Sequence, residues 1–197
     1  MKPVIVFATA NQNKAEEVRK LLKDLYIVKS LVDIGCTADI PETANTLEGN
    51  AKQKADFVKE NYGYDCFADD TGLEVEALNG EPGVYTARYG GPEKDAQQNM
   101  DHLLNELKRV GARSSEKRSA RFRTAIHLIV NGENVGLEGI CNGEIASEKS
   151  GRAGFGYDPI FIPEGESRTF SEMSSEEKNS MSHRGRAIRS MLEYLGG

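Results

Sequence analysis

The sequence has no tryptophan, three histidines and three cysteines. Cys36, Cys66 and Cys141 are odd in number, far apart, and form no Cys-x-x-Cys pair. That pattern excludes a disulfide framework or a cysteine zinc site as the organising feature, and it fits a reducing, cytoplasmic compartment. Long apolar runs are absent too. Nothing approaches the ~18–20 residues that cross a bilayer, so no membrane partner is expected. The run from Pro3 to Ala8 is too short for the apolar stretch of a signal peptide. There is no surplus of positive charge: 25 Lys and Arg face 31 Asp and Glu, a net −6. Neutralising a nucleic-acid backbone needs the opposite balance, so no nucleic-acid partner is expected. No Gly-Lys pair occurs, which excludes a P-loop. What remains is 197 residues, 38% hydrophobic and 28% charged, the composition of an ordinary globular chain. That length suits a single domain, or one with two lobes.

Pro3 to Thr9 is a continuous apolar run and reads as a strand buried on both faces. Val18, Leu21, Leu22 and Leu25 follow at helical spacing, and Tyr26 to Val32 reads as a second strand. The order strand, helix, strand points to an α/β fold. Thr46 suits a helix N-cap, and Leu47, Ala51, Ala55 and Val58 form the stripe that follows it. Cys66 to Ala68 reads as a strand that ends in Asp69-Asp70, and Asn79 to Gly91 as loop. Met100, Leu103, Leu104 and Leu107 mark another helix. Ala120 to Val130 alternates with period two and pairs, across Asn131-Gly132, with Val135 to Ile145 as a hairpin. Pro159 to Ile162 reads as a short strand. Ser174 and Glu177 have capping-box spacing, and Ile188, Met191, Leu192 and Leu195 close the chain with a helix. The hairpin and its loops are a candidate lobe apart from the N-terminal part.

Four places carry candidate chemistry. Thr9-Ala10-Asn11-Gln12-Asn13-Lys14 joins the end of a buried strand to a helix N-terminus, where α/β sheets bind ligands and where free N–H groups suit phosphate. Taken alone, the stretch also reads as a plain Asn11 or Asn13 cap with a solvated Lys14. Asp69 and Asp70 are adjacent, so their side chains point to opposite faces; either one of them faces a site or the pair merely caps a turn, the plainer reading of a bare Asp-Asp pair. One carboxylate there and Glu42, in a loop stiffened by Pro41, suffice for Mg²⁺, which takes further ligands from phosphate and water. Lys54 falls on the apolar stripe of its helix. That is costly unless an anion meets it or it snorkels to water. The glycine loop Gly154-Phe155-Gly156-Tyr157-Asp158 offers close backbone approach and an aromatic face for a base. His183 and Arg184 stand as donors near the start of the last helix, and Lys178 lies in the helix start at Ser174; alone, these read as surface residues.

In order along the chain, the stretches Phe7 to Lys14, Phe67 to Leu73, Gly80 to Tyr89, Gly154 to Pro159 and Glu177 to Arg184 resemble the inosine triphosphate pyrophosphatase family. These are the XTP/dITP diphosphatases, which remove deaminated purine nucleotides. The resemblance spans nearly the whole chain. It implies an α/β fold with an elongated mixed sheet and flanking helices, as a single domain of residues 1–197 with two lobes around a central cleft. It implies Mg²⁺-dependent hydrolysis of ITP, dITP and XTP to monophosphate and pyrophosphate by a cytoplasmic homodimer. By position, Thr9, Ala10, Asn11, Gln12, Asn13, Lys14 and Lys54 would take the triphosphate. Asp70 would be the proton acceptor and a metal ligand, with Glu42 as a second acid at the metal. Thr71 would touch substrate, Phe155, Gly156, Tyr157 and Asp158 would line the nucleoside pocket, and Lys178, His183 and Arg184 would read the base. Two positions depart from the family pattern: Ala10 stands where many relatives have glycine, and Gly49 where many bacterial relatives have glutamate. The rival readings are a nucleotide-binding regulatory module without turnover, a Maf-type pyrimidine nucleotide pyrophosphatase, and a nicotinamide oxidoreductase. The last needs a glycine fingerprint that Thr9 to Lys14 lacks.

Overall fold

Two-residue alternation in the first strand decides where the helices go. The computed structural model describes residues 2–196, with 115 and 116 described by backbone alone. Its elements run β1 (Val4–Phe7), α1 (Gln12–Leu22), β2 (Ile27–Lys29), α2 (Leu47–Tyr62), β3 (Cys66–Val75) and β4 (Pro82–Gly83). Then come α3 (Ala96–Arg109), β5 (Ser119–Val130), β6 (Glu133–Ile145), β7 (Phe161–Pro163), α4 (Ser175–Met181) and α5 (His183–Gly196). Among the described residues the strands form one sheet in the order β2-β1-β3-β5-β6-β7, with β4 on β3. It is mixed: β1 is parallel to β2 and β3, while β3–β4 and β6–β7 are antiparallel.

The chain divides into two compact units. The first holds residues up to Asp70, Thr124–Gly139, and the chain from Gly185 on. In it, Ile5 and Phe7 of β1 join Phe67 of β3 in a core with Val18 and Leu22 of α1 and Ile188 and Met191 of α5. Val6 and Ala8 join Cys66 and Ala68 in another core with Ala55 and Val58 of α2. Successive side chains thus serve opposite faces, as strand geometry requires, and each face has its own helix. The second unit holds Thr71–Arg123 and Ile140–Arg184. Its core packs Leu73 and Val75 of β3 with Met100, Leu103 and Leu107 of α3 and with Phe122, Phe161 and Phe170.

Several elements end elsewhere than the sequence pattern suggests. Helix α1 stops at Leu22, and Leu25 lies in the turn beyond it, 54% exposed. Strand β2 spans Ile27–Lys29, shorter than the expected Tyr26 to Val32, and Val32 starts a short 3₁₀ turn. Asp69 and Asp70 do not end a strand. Strand β3 continues to Val75 because Leu73 and Glu74 pair with Gly83 and Pro82 of β4. Asp158–Ile160 is a 3₁₀ turn, and the strand begins only at Phe161. The hairpin turn is as expected. Asn131 and Gly132 both take positive φ, 51° and 82°, which matches the twist of the strands they join. No helix among the described residues is long and apolar enough to cross a membrane.

Candidate active site

The alternation that layers the first unit also sorts its two aspartates. Asp69 shares the parity of Phe67 and meets α1, where its Oδ1 accepts from Lys14 Nζ at 3.0 Å. Asp70 shares the parity of Cys66 and Ala68 and meets α2, where its Oδ2 accepts from Asn50 Nδ2 at 3.0 Å. Lys54, one helical turn beyond Asn50, brings Nζ to 3.8 Å from Asp70 Oδ1 and donates a short hydrogen bond to Glu42 Oε1. The lysine on the apolar stripe is therefore met by the protein's own acids. Burial works against its ammonium, yet Asp70, Glu42 and Asp69 hold its pKa above the ordinary lysine value. Burial pushes the Asp70 carboxyl up from the ordinary carboxylate value, while Lys54, Lys14 and the Asn50 hydrogen bond pull the other way.

Thr9 to Lys14 leads from β1 into α1. Thr9 is buried and its Oγ1 accepts from the Asn11 N–H at 3.1 Å. Asn11 is the N-cap, its side chain accepting from the Lys14 N–H at 3.2 Å, so the choice between Asn11 and Asn13 falls to Asn11. Ala10, Asn11, Gln12 and Asn13 are exposed at this helix N-terminus. Lys14 is only 17% exposed at its side chain and ion-paired, so the solvated reading does not hold.

The second unit gathers a different set. Lys178 Nζ donates to Asp158 Oδ2 at 2.8 Å and lies 4.6 Å from the Phe155 ring centroid. Arg184 places its guanidinium carbon 5.7 Å from the same ring and one nitrogen 3.3 Å from Thr71 Oγ1. A half-buried phenyl ring thus has a cation on each of two contacts, an attractive arrangement because the ring face is electron-rich. His183 stacks on Phe122, centroids 4.5 Å apart and planes 18° from parallel. Asp158 Oδ2 also accepts from the Phe155 N–H at 2.8 Å, so one carboxylate fixes both the loop and Lys178. Gly154 makes that possible, since a Cβ there would stand 2.1 Å from Asp158 Oδ2 and its φ is +79°. Gly156 follows Phe155 in this loop and is half-buried. Tyr157 is buried in the core, its hydroxyl donating to the Thr86 carbonyl at 2.8 Å.

Two partners of these residues were not picked out by sequence reasoning. Asn50 lies four residues before Lys54, hence on the same helix face, and that spacing was the available signal. Phe122 was legible only as one apolar position of an alternating strand, and nothing local tied it to His183. As for a metal, no group of three or more His, Cys, Asp or Glu among the described residues forms a cage. Glu42 and Asp70 do converge on one cation, Lys54. Two hard carboxylates of that kind fit Mg²⁺, which binds nucleotides through few protein ligands and several phosphate oxygens.

A mixed sheet with flanking helices defines an α/β protein, whose first unit carries a lysine–carboxylate cluster at a strand-to-helix turn and whose second unit has donors ranged round an aromatic ring. The chain belongs to the Ham1 family, whose family model matches residues 5–194. It is 51% identical over 191 residues to the dITP/XTP pyrophosphatase of Flavobacterium johnsoniae, covering 97% of each chain. It is 44% identical to the dITP/XTP pyrophosphatase of Bacillus subtilis, over 99% of this chain and 98% of the relative. The solved Ham1 protein of Staphylococcus aureus superposes with a TM-score of 0.85 at 37% identity, and that of Coxiella burnetii with 0.88 at 35%. Each pairing covers 98% of both chains.

Proposed function

We propose that the lysine–carboxylate cluster of the first unit works on the triphosphate, and the aromatic–cation cluster of the second unit on the base. The reaction is hydrolysis of nonstandard purine nucleoside triphosphates (ITP, dITP and XTP) to the monophosphate and pyrophosphate, a reading supported by relatives named dITP/XTP pyrophosphatases. The observation that carries the division of labour is Asp70. It is a half-buried carboxylate with two lysines acting on it, one residue before Thr71, which bonds to Arg184.

In this reading Thr9 to Lys14 present helix N-terminal N–H groups and the Lys14 ammonium to phosphate oxygens. Lys54 exchanges its contact with Glu42 for one with phosphate. Asp70 accepts a proton from the water that attacks the α-phosphorus. The bond from the α-phosphorus to the bridging oxygen breaks, and pyrophosphate leaves. Glu42 and Asp70 would hold Mg²⁺, which neutralises charge on the phosphates. The Phe155 loop takes the nucleoside, and Arg184, Lys178 and His183 take the base. A 6-oxo group accepts from such donors, and the 6-amino group of adenine does not.

We further propose that residues 1–197 act as one functional domain and that the protein works in the cytoplasm as a homodimer without nucleic acid. The three thiols support the compartment, the net charge of −6 supports the absence of nucleic acid, and the dimer rests on the resemblance. The test of the activity is a substrate panel: pyrophosphate release with Mg²⁺ from ITP, dITP, XTP, the four common ribonucleotides and dUTP. Turnover concentrated on the deaminated purines supports the reading. Preference for pyrimidine nucleotides would favour the Maf-type reaction, and no turnover a regulatory module.

A further inference from the structure

The loop from Glu42 to Thr46 is laid along the first turns of α2 rung by rung. The Gly49 N–H donates to Thr46 Oγ1 at 3.1 Å. The Ala44 N–H donates to Asn50 Oδ1 at 3.0 Å. The Thr43 N–H donates to Gln53 Oε1 at 3.0 Å, and Gln53 Nε2 donates to Thr43 Oγ1 at 2.8 Å. Lys54 closes the series on Glu42. The loop and helix run past each other closely because residue 49 has no side chain. A Cβ there would sit 2.6 Å from Ala44 Cβ.

Asn50 differs from the rungs at Gly49 and Gln53, because its other end reaches Asp70. It is 3% exposed, and its amide uses both halves: the oxygen takes the loop, the nitrogen takes the aspartate. An amide side chain does this without ambiguity. One end can only accept and the other can only donate, so the direction of both bonds is fixed. Asp70 cannot rotate away without giving up a buried donor, and the loop bearing Glu42 cannot lift without giving up a buried acceptor.

We propose that Asn50 is a positioning residue for the hydrolysis, holding the Asp70 carboxylate in its working rotamer and tying it to the loop that carries Glu42. This rests on the functional reading given above. Asn50 touches neither substrate nor metal in it. Its effect is on the orientation of the group that takes the proton, so it belongs to kcat and not to KM. Misplacement of a reacting group by about an ångström costs on the order of 100-fold.

Three variants test it: Asn50→Ala, Asn50→Asp and Gln53→Ala. Asn50→Asp has nearly the same shape and keeps an acceptor for the Ala44 N–H, but it removes the donor to Asp70. Gln53→Ala cuts the neighbouring rung and leaves Asp70 its partner. Turnover of ITP is measured at saturating Mg²⁺, with folding checked by circular dichroism and thermal unfolding. Both Asn50 variants should lose about 10- to 100-fold in kcat with KM changed less than about threefold. Gln53→Ala should keep kcat within about threefold of wild type. An Asn50→Asp enzyme that turns over like wild type overturns the proposal. So does a Gln53→Ala loss as deep as that of Asn50→Ala, which would make loop anchoring the whole effect. A loss in kcat that merely follows the folded fraction overturns it too. A wild type inactive on ITP in the same assay sinks the functional reading and this inference together, whereas an active wild type with an equally active Asn50→Asp sinks this inference alone.

Discussion

The two units solve opposite electrostatic problems. In the first, three carboxylates (Glu42, Asp69 and Asp70) stand against two lysines, Lys14 and Lys54. In the second, Lys178 and Arg184 lie over one phenyl ring, with Asp158 paired to Lys178. The first set is tuned by charge, and whatever binds there must rearrange ion pairs. The second is tuned by shape, since its rings and its Asp158-bound loop leave the donors little freedom. Changes in the first unit should therefore act on rate and on phosphate affinity for every substrate. Changes in the second should act on which base is accepted.

Asp70→Asn gives the largest expected effect. On the proposed reading it removes the proton acceptor and one of the two acids that would hold Mg²⁺, while the amide keeps the shape of the carboxylate near Asn50 and Lys54. We expect kcat to fall by about 10²–10⁴-fold on every nucleotide alike. Retention of a tenth of wild-type activity would end the assignment.

Arg184→Ala tests the other side of the comparison. A hydrogen bond from a charged donor is worth about 1.5–3 kcal/mol, or roughly 10- to 100-fold. We expect the ratio of kcat/KM for ITP over ATP to fall by about that factor. The ratio is the useful quantity because Arg184 is buried, and partial unfolding would lower both numerators equally. Equal losses on the two nucleotides would place Arg184 with the phosphates or the fold.

Lys54→Met should raise KM for all substrates by about tenfold, the scale of one charge-assisted contact. It should also lower the melting temperature. Three acids hold this ammonium in place, and removing it leaves their repulsion uncompensated. Unchanged KM with a lowered melting temperature would make Lys54 a structural cation only.

The smallest effect concerns Cys66, which belongs to neither cluster. Burial pushes its thiol up to about 12 from an ordinary 9.0. The native protein should then show no rise in alkylation at Cys66 between pH 7 and pH 10, followed by mass spectrometry. The linkage has a definite sign. Above pH 9 the unfolded chain ionises this thiol and the folded chain does not, so stability declines with pH through that window. Alkylation of Cys66 in native protein at pH 8 would contradict the burial argument.

What the sequence settled by itself was whatever depends on neighbours along the chain. The buried run at β1, the Thr46 cap, the Ser174–Glu177 box and the Asn131-Gly132 turn are local rules, and each stands in the structure. Ordered stretches along the whole chain also sufficed to indicate the family. The element ends were decided by pairing partners that no local pattern contains. Strand β3 runs on past Asp70 because β4 meets it, and α1 stops before Leu25 because the chain turns into the edge strand β2. The candidate site divides in the same way. That Asp69 and Asp70 face opposite ways follows from strand geometry alone. That one of them meets Lys14 across 55 positions and the other meets Asn50 across 20 follows only from which helix covers which face of the sheet. Lys54 looked misplaced on its apolar stripe because its acids come from a loop and a strand, and burial of charge is resolved by contacts in space.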